Sequence, residues 1–274
     1  VKDKLRLGRI HYINVLPIYH ALDQGGEGKN GFHLISGTPA ELNARLFHGE
    51  LDVSAISSVE YGRHFREYLL LLDLSISTEG DVGSVLFFSR VPFHRLSGRE
   101  VLLSQASATS VALVKILLYE LYGARPLYHL GPVSKGFPDG YYGLLAIGDE
   151  ALRLRAAGTY PYFLDLGRAW HKLTGLPFVF GVWAARLAVF RERPEEVRSL
   201  HRALLVSKTQ GLNALKQICR RAQDSVNMSQ RDLLSYFRQL RYDLGPRQQE
   251  GLTAFYSYLH RTGGLEEMPE LAFI

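Results

Sequence analysis

Strand-length apolar runs alternate with helix-start signals through the first two thirds of this chain, and the alternation restarts after Pro92. That order confines the fold to α/β sheets, in which each strand empties into a polar loop and a helix carries the chain back. The first unit is the clearest. Leu5, Leu7 and Ile10 supply the apolar run of a buried strand, and His11, Tyr12 and Asn14 crowd polar groups where it should end. Pro17 suits the first turn of a helix, whose N–H groups have no intrahelical partner to lose. Ligand crevices in open α/β sheets form at the carboxyl ends of the strands. Asn14 is therefore the first candidate site residue, and an asparagine at that point also serves as a plain turn residue.

Later units repeat the scheme. Residues 32–36 read as a strand, and Thr38, Pro39 and Glu41 form a capping box that starts the next helix. Residues 51–56 form a strand that delivers Ser57 and Ser58 to its end. Residues 69–74 have the unbroken apolar character of a strand covered on both faces. Residues 82–89 read as a further strand, with Gly83 and Ser84 near its start. After Pro92 come a strand at 101–103, the polar loop 104–109, and a helix from Ser110 to about Tyr122 that Gly123 stops. Strands follow at 127–130, 144–147, 162–166 and 178–183, with a long loop at 131–140 and Gly148-Asp149 after the second of these strands. From Arg193 onward the chain reads as helix, at 194–219, 229–240 and 246–261.

Several function classes drop out. Cys219 is the only cysteine, which excludes an internal disulfide and a thiolate metal set, and the histidines lack paired metal-binding spacing. No metal centre is expected. The glycines at 25, 26 and 28 follow a helix and lack phosphate-loop spacing. No window holds a membrane-spanning apolar run, and the first residues carry charges without a signal core, so no membrane partner and a cytoplasmic location are expected. The net charge of +5 comes mostly from the last third, where acidic residues and helical spacing break up the basic segments. Without aromatic–basic interleaving, nucleic acid is not the expected partner. Nothing in the sequence sets an oligomeric state.

The element order suggests two α/β lobes. Residues 1–88 and 181–274 would form the first and residues 89–180 the second, with two chain crossings as a hinge and a ligand cleft between facing strand ends.

Six pieces in order then carry a resemblance. They are Tyr12-Ile13-Asn14 with Pro17; Gly49-Glu50-Leu51-Asp52-Val53 with Ser57 and Glu60-Tyr61; and Gly83-Ser84-Val85-Leu86 with Phe88-Ser89. Ser107 with Thr109-Ser110-Val111, Gly148-Asp149-Glu150-Ala151-Leu152, and Thr174-Gly175-Leu176-Pro177-Phe178-Val179 with Trp183 complete them. The chain resembles the chorismate dehydratases of the futalosine-dependent menaquinone pathway over about residues 5–185, and the helical tail matches in type. The resemblance implies a two-lobed fold like that of type II periplasmic binding proteins, used as a cofactor-free hydro-lyase. Chorismate would lose its C3 hydrogen and C4 hydroxyl to give 3-[(1-carboxyvinyl)oxy]benzoate, driven by aromatisation of the ring.

Under that resemblance, Asn14 orients the substrate or its leaving hydroxyl, since an amide both donates and accepts. Ser107, Thr109 and Ser110 offer hydroxyls and helix-start N–H groups to a carboxylate, besides their ordinary capping role. Ser84, Ser57 and Ser58 add hydroxyls, and Asp149 is a helix cap or an acid–base group. His11 stands where the family usually has a small residue and is a weaker candidate base. With no convincing enzyme base, the substrate's own enolpyruvyl carboxylate is the expected proton acceptor. Two alternatives stand beside this reading. Dihydroxynaphthoate synthases of the same superfamily usually begin with a Ser-Pro-Cys-Pro-Asn-type loop, where this chain has Tyr12-Ile13-Asn14. A non-catalytic small-anion binding protein is the other, disfavoured by the lack of an export signal or a lipid-anchor cysteine.

Overall fold

The apolar runs pair into two sheets rather than one in the computed structural model, which describes residues 4–24, 31–133, 139–223, 226 and 228–274. Strands β1 (Leu5–Ile10), β2 (Phe32–Gly37), β3 (Val53–Ser57) and β4 (Tyr68–Thr78) open the chain, with helices α1 (Leu16–Gln24), α2 (Pro39–Phe47) and α3 (Ser58–Arg63) between them. Strands β5 (Val85–Ser89), β6 (Glu100–Ser104), β7 (Leu127–Gly131), β8 (Gly143–Ile147) and β9 (Tyr162–Asp165) follow, with α4 (Ala108–Tyr122), α5 (Gly148–Ala157) and then α6 (Leu166–Thr174). The chain continues through β10 (Phe178–Arg186), α7 (Leu187–Glu192), α8 (Pro194–Asn213), α9 (Leu215–Ala222), α10 (Gln230–Gln239), β11 (Leu240–Arg241) and α11 (Pro246–Arg261).

The first sheet has the order β11-β4-β10-β3-β1-β2 and the second β7-β6-β8-β5-β9. In each, a parallel set (β2, β1, β3 and β7, β6, β8) meets one strand that arrives from the other sheet and runs antiparallel to its neighbours. β10 lies against β3 and β4, and β5 against β8 and β9. A strand arriving this way needs no crossover helix within its new sheet, so the parallel rule does not bind it. The two passages between sheets are residues 79–84 outward and 175–177 on the return.

β5 corrects one expectation. Residues 85–88 were expected in the first lobe, but they pair in the second sheet. The boundary expected at residue 88 falls between Thr78 and Val85, and the return expected at 181 falls before Phe178. The reason is physical: both faces of β5 are buried, so the run carries no mark of its partners. Val85 and Phe87 join the main core, whereas Leu86 and Phe88 pack with Ala151 and Leu154 of α5. Gly83 and Ser84 precede the strand as loop, and the helix expected over 194–219 breaks at Ala214. The turn at 25, 26 and 28 and residues 134–138 of the long loop lie outside the described residues.

The caps are local and match the sequence. Thr38 and Glu41 form a reciprocal capping box, and Gly123 and Gly175 end α4 and α6 in the left-handed conformation. The helical tail braces the passages. Gly251 in α11 lies so close to Pro177 that a Cβ would stand 2.1 Å from the Pro177 carbonyl oxygen, which fixes α11 against the return passage.

Candidate active site

The carboxyl ends of the parallel strands in both sheets line one cavity of about 80 Å³. Of the candidates, Asn14, Ser57, Ser84, Ser107, Ser110 and Asp149 line it. Two open grooves adjoin it. One of about 610 Å³ runs beside α4 and shares Ser57 and Ser107; the other, of about 830 Å³, runs between α5 and α10 and shares Asp149 and Tyr236. No lysine or arginine is among the described residues that line the cavity. The starts of α2, α4 and α5 border it instead, and helix N-termini carry partial positive charge that favours an anion.

Asn14 sits in the 3-10 turn Ile13–Val15 that joins β1 to α1. Its Oδ1 is buried and has no hydrogen-bond partner among the described residues. Leaving an acceptor so costs about 1–3 kcal/mol. The position thus suits a donor such as a ligand hydroxyl.

Ser84 is held by its backbone. Its carbonyl accepts the Gly148 N–H at 2.7 Å, and the N–H groups of Val82 and Gly83 donate to the buried Asp165 carboxylate at 3.0 and 2.8 Å. Its Oγ lies 3.1 Å from the Tyr236 hydroxyl. Gly148 adopts φ 59 at the start of α5, under the Tyr12 ring. Burial first, and then the Glu150 and Asp149 carboxylates, hold the Tyr12 phenol above its ordinary value. Asp149 is exposed at the rim, and desolvation raises its carboxyl above the ordinary range.

The other hydroxyls divide by task. Ser107 caps α4, its Oγ accepting the Ser110 N–H at 3.1 Å and lying 2.9 Å from Ser110 Oγ. Ser57 caps α3 and is gripped by Asn43, whose amide bonds both its Oγ and its N–H at 3.2 Å. Ser58, Thr109 and His11 do not line the cavity. Ser58 Oγ donates to the Val179 carbonyl at 2.6 Å, fastening α3 to β10. Thr109 Oγ1 accepts the Val59 N–H at 3.0 Å, a bond between α4 and α3. His11 is exposed. Adjacent residues at a strand–helix junction point in different directions, so sequence cannot sort Ser57 from Ser58. Tyr12, Phe180 and Tyr236 line the cavity and were missed. Tyr12 belongs to the Tyr12-Ile13-Asn14 stretch at the end of the first strand, whereas Tyr236 carries no local signal.

Among the described residues no group of three or more His, Cys, Asp or Glu is placed to hold a metal ion, and no helix is long and apolar enough to cross a membrane.

A family model described as menaquinone biosynthesis matches residues 5–261. The chain belongs to this family. It is 35% identical over 264 residues to a chorismate dehydratase of Thermus thermophilus, covering 91% of this chain and 93% of that one. It is 33% identical over 178 residues to a chorismate dehydratase of Campylobacter jejuni, covering 63% and 64% respectively. Among solved structures, the aliphatic sulphonate binding protein of Escherichia coli superposes with a TM-score of 0.70 at 8% identity, covering 99% of this chain and 91% of that one. At that identity the likeness concerns the fold alone, which is the expected two-lobed periplasmic-binding-protein-like architecture.

Proposed function

We propose that this protein is a chorismate dehydratase acting in menaquinone biosynthesis, a hydro-lyase that needs no metal or nucleotide. The two relatives that carry that name support the reading. The structural observation that carries it is the buried Asn14 Oδ1, unpartnered among the described residues, in a cavity rimmed by serine hydroxyls and helix starts. A doubly negative cyclohexadiene with one hydroxyl matches that set. Its carboxylates accept from Ser84, Ser107 and Ser110 and face the positive ends of α4 and α5. Its C4 hydroxyl donates to Asn14 Oδ1, and the Asn14 amide group orients it for departure.

The chemistry balances without a redox partner. The substrate's enolpyruvyl carboxylate takes the C3 proton, electron density moves through the ring diene toward the ring carboxylate, and the C4–O bond breaks. Proton and hydroxide leave together as water, and the ring becomes aromatic. The serine hydroxyls act by holding the dianion in one conformation, and the positive ends of α4 and α5 stabilise the charge that builds on the ring carboxylate. Asp149, with its raised carboxyl at the rim, is the enzyme group suited to relay that proton: it protonates the leaving hydroxyl and regains a proton from the enolpyruvyl carboxylic acid, so one proton and one hydroxide leave in total. Ligand pockets begin at ~300 Å³, so a cavity of about 80 Å³ must widen, and the passages 79–84 and 175–177 are the natural hinge. A cytoplasmic location fits the lone buried thiol of Cys219.

The test is substrate-side. An ester or amide of the enolpyruvyl carboxylate should bind and fail to turn over. Turnover of the amide at the chorismate rate would remove the substrate carboxylate as base.

A further inference from the structure

Tyr236 reaches the cavity from α10, 152 residues along the chain from the serine that it meets. Its side chain is buried, it lines the cavity with Ser84 and Asp149, and its ring packs on Phe237 at a centroid distance of 5.5 Å. Its hydroxyl lies 3.1 Å from Ser84 Oγ, and neither oxygen has another hydrogen-bond partner among the described residues.

Everything about Ser84 is fixed except its hydroxyl. Asp165 pins the residues before it, and the Gly148 N–H pins its carbonyl. A serine hydroxyl otherwise rotates among staggered positions and donates to whichever acceptor is nearest. A phenol is the stronger donor of the pair, and burial holds Tyr236 far above its ordinary value, so it keeps its proton throughout the neutral range.

We propose that Tyr236 is a positioning residue, whose phenolic hydrogen, donated to Ser84 Oγ, turns the serine's own hydrogen into the cavity toward a substrate carboxylate. Ser84 then presents a pre-aimed donor and gives up no rotor freedom on binding. The hydroxyl pair also couples the tail helix α10 to the passage that begins the second sheet.

The inference rests on the dehydratase reading, and the experiment separates the two. Wild-type protein, Tyr236→Phe, Ser84→Ala and the double variant are assayed for chorismate turnover, and calorimetry measures their affinity for 3-[(1-carboxyvinyl)oxy]benzoate. Wild-type turnover tests the function; the cycle tests Tyr236. A carboxylate donor acts on ground state and transition state alike, so Tyr236→Phe should raise KM about 5- to 10-fold with kcat within about twofold. In the Ser84→Ala background the same change should shift KM by less than about twofold. A variant that merely folds less well would lower apparent kcat and leave KM alone. Equal KM shifts in both backgrounds would mean that Tyr236 touches the substrate directly, and an unshifted KM and product affinity in Tyr236→Phe would mean that it orients nothing; either overturns the proposal.

Discussion

The Gly83 N–H donates to Asp165 Oδ2 at 2.8 Å, joining the outward passage between the sheets to the residue that caps α6. The other oxygen, Oδ1, accepts from Val82 at 3.0 Å, Gly167 at 3.0 Å and Arg168 at 3.2 Å. One buried carboxylate thus holds both a helix start and the loop that carries Ser84 into the cavity.

That division of labour predicts a selective defect. Asp165→Asn keeps Oδ1 and sets an NH2 group against the Gly83 N–H. It should cost about 1–2 kcal/mol in urea unfolding, the scale of one buried donor left without an acceptor. Chorismate KM should rise with it, because Ser84 loses its fixed backbone. Asp165→Ala orphans all four N–H groups and should cost clearly more.

Asn14 should behave in the opposite way. Its Oδ1 has no partner among the described residues, so Asn14→Ala removes a buried acceptor that contributes nothing to the fold. Thermal melting should show a midpoint equal to or above that of the wild type. Turnover should fall about 10²-fold or more, as when one oriented polar group is lost from a transition-state site. A wild-type rate would remove Asn14 from the mechanism.

Gly148 joins fold and site. At φ 59 it occupies the left-handed region, which costs other residues roughly 1–2 kcal/mol. Gly148→Ala should therefore lower stability by about that amount. The added Cβ would meet the Tyr12 ring at only 3.6 Å, an ordinary contact, so the loss should come from the backbone and survive in Tyr12→Ala.

The pH dependence follows from Asp149, whose carboxyl desolvation holds above its ordinary value. The folded state therefore disfavours its anion. That penalty is absent below the unfolded carboxylate range, where both states keep the proton, and it grows as pH rises through the folded value. Asp149→Asn should raise the melting midpoint at pH 7 and give a smaller gain at pH 4. A gain that grows toward low pH would show that the anion is stabilised by the fold.

Much of this was legible in the chain. Thr38 with Glu41, Ser107 with Ser110, and Gly123 and Gly175 are local devices whose effect depends on residues three or four positions away, so they read directly. Asn14 and Asp149 were legible as strand-end residues. What failed was long-range. β5 is buried on both faces and looks the same in either sheet. Ser58 and Thr109 have the same hydroxyls as Ser57 and Ser107, but theirs bond Val179 and Val59 outside the cavity. Tyr236 meets Ser84 only because the tail folds back over the outward passage, which no spacing announces.

The most direct measurement mixes the purified protein with chorismate in a chelator, without nucleotide, and follows the ultraviolet spectrum and product mass. The cyclohexadiene absorption should give way to that of a substituted benzoate, with the product lighter by one water and the enolpyruvyl group retained. Chorismate bound tightly yet unchanged, or an aromatic product that has lost pyruvate instead of water, would contradict it.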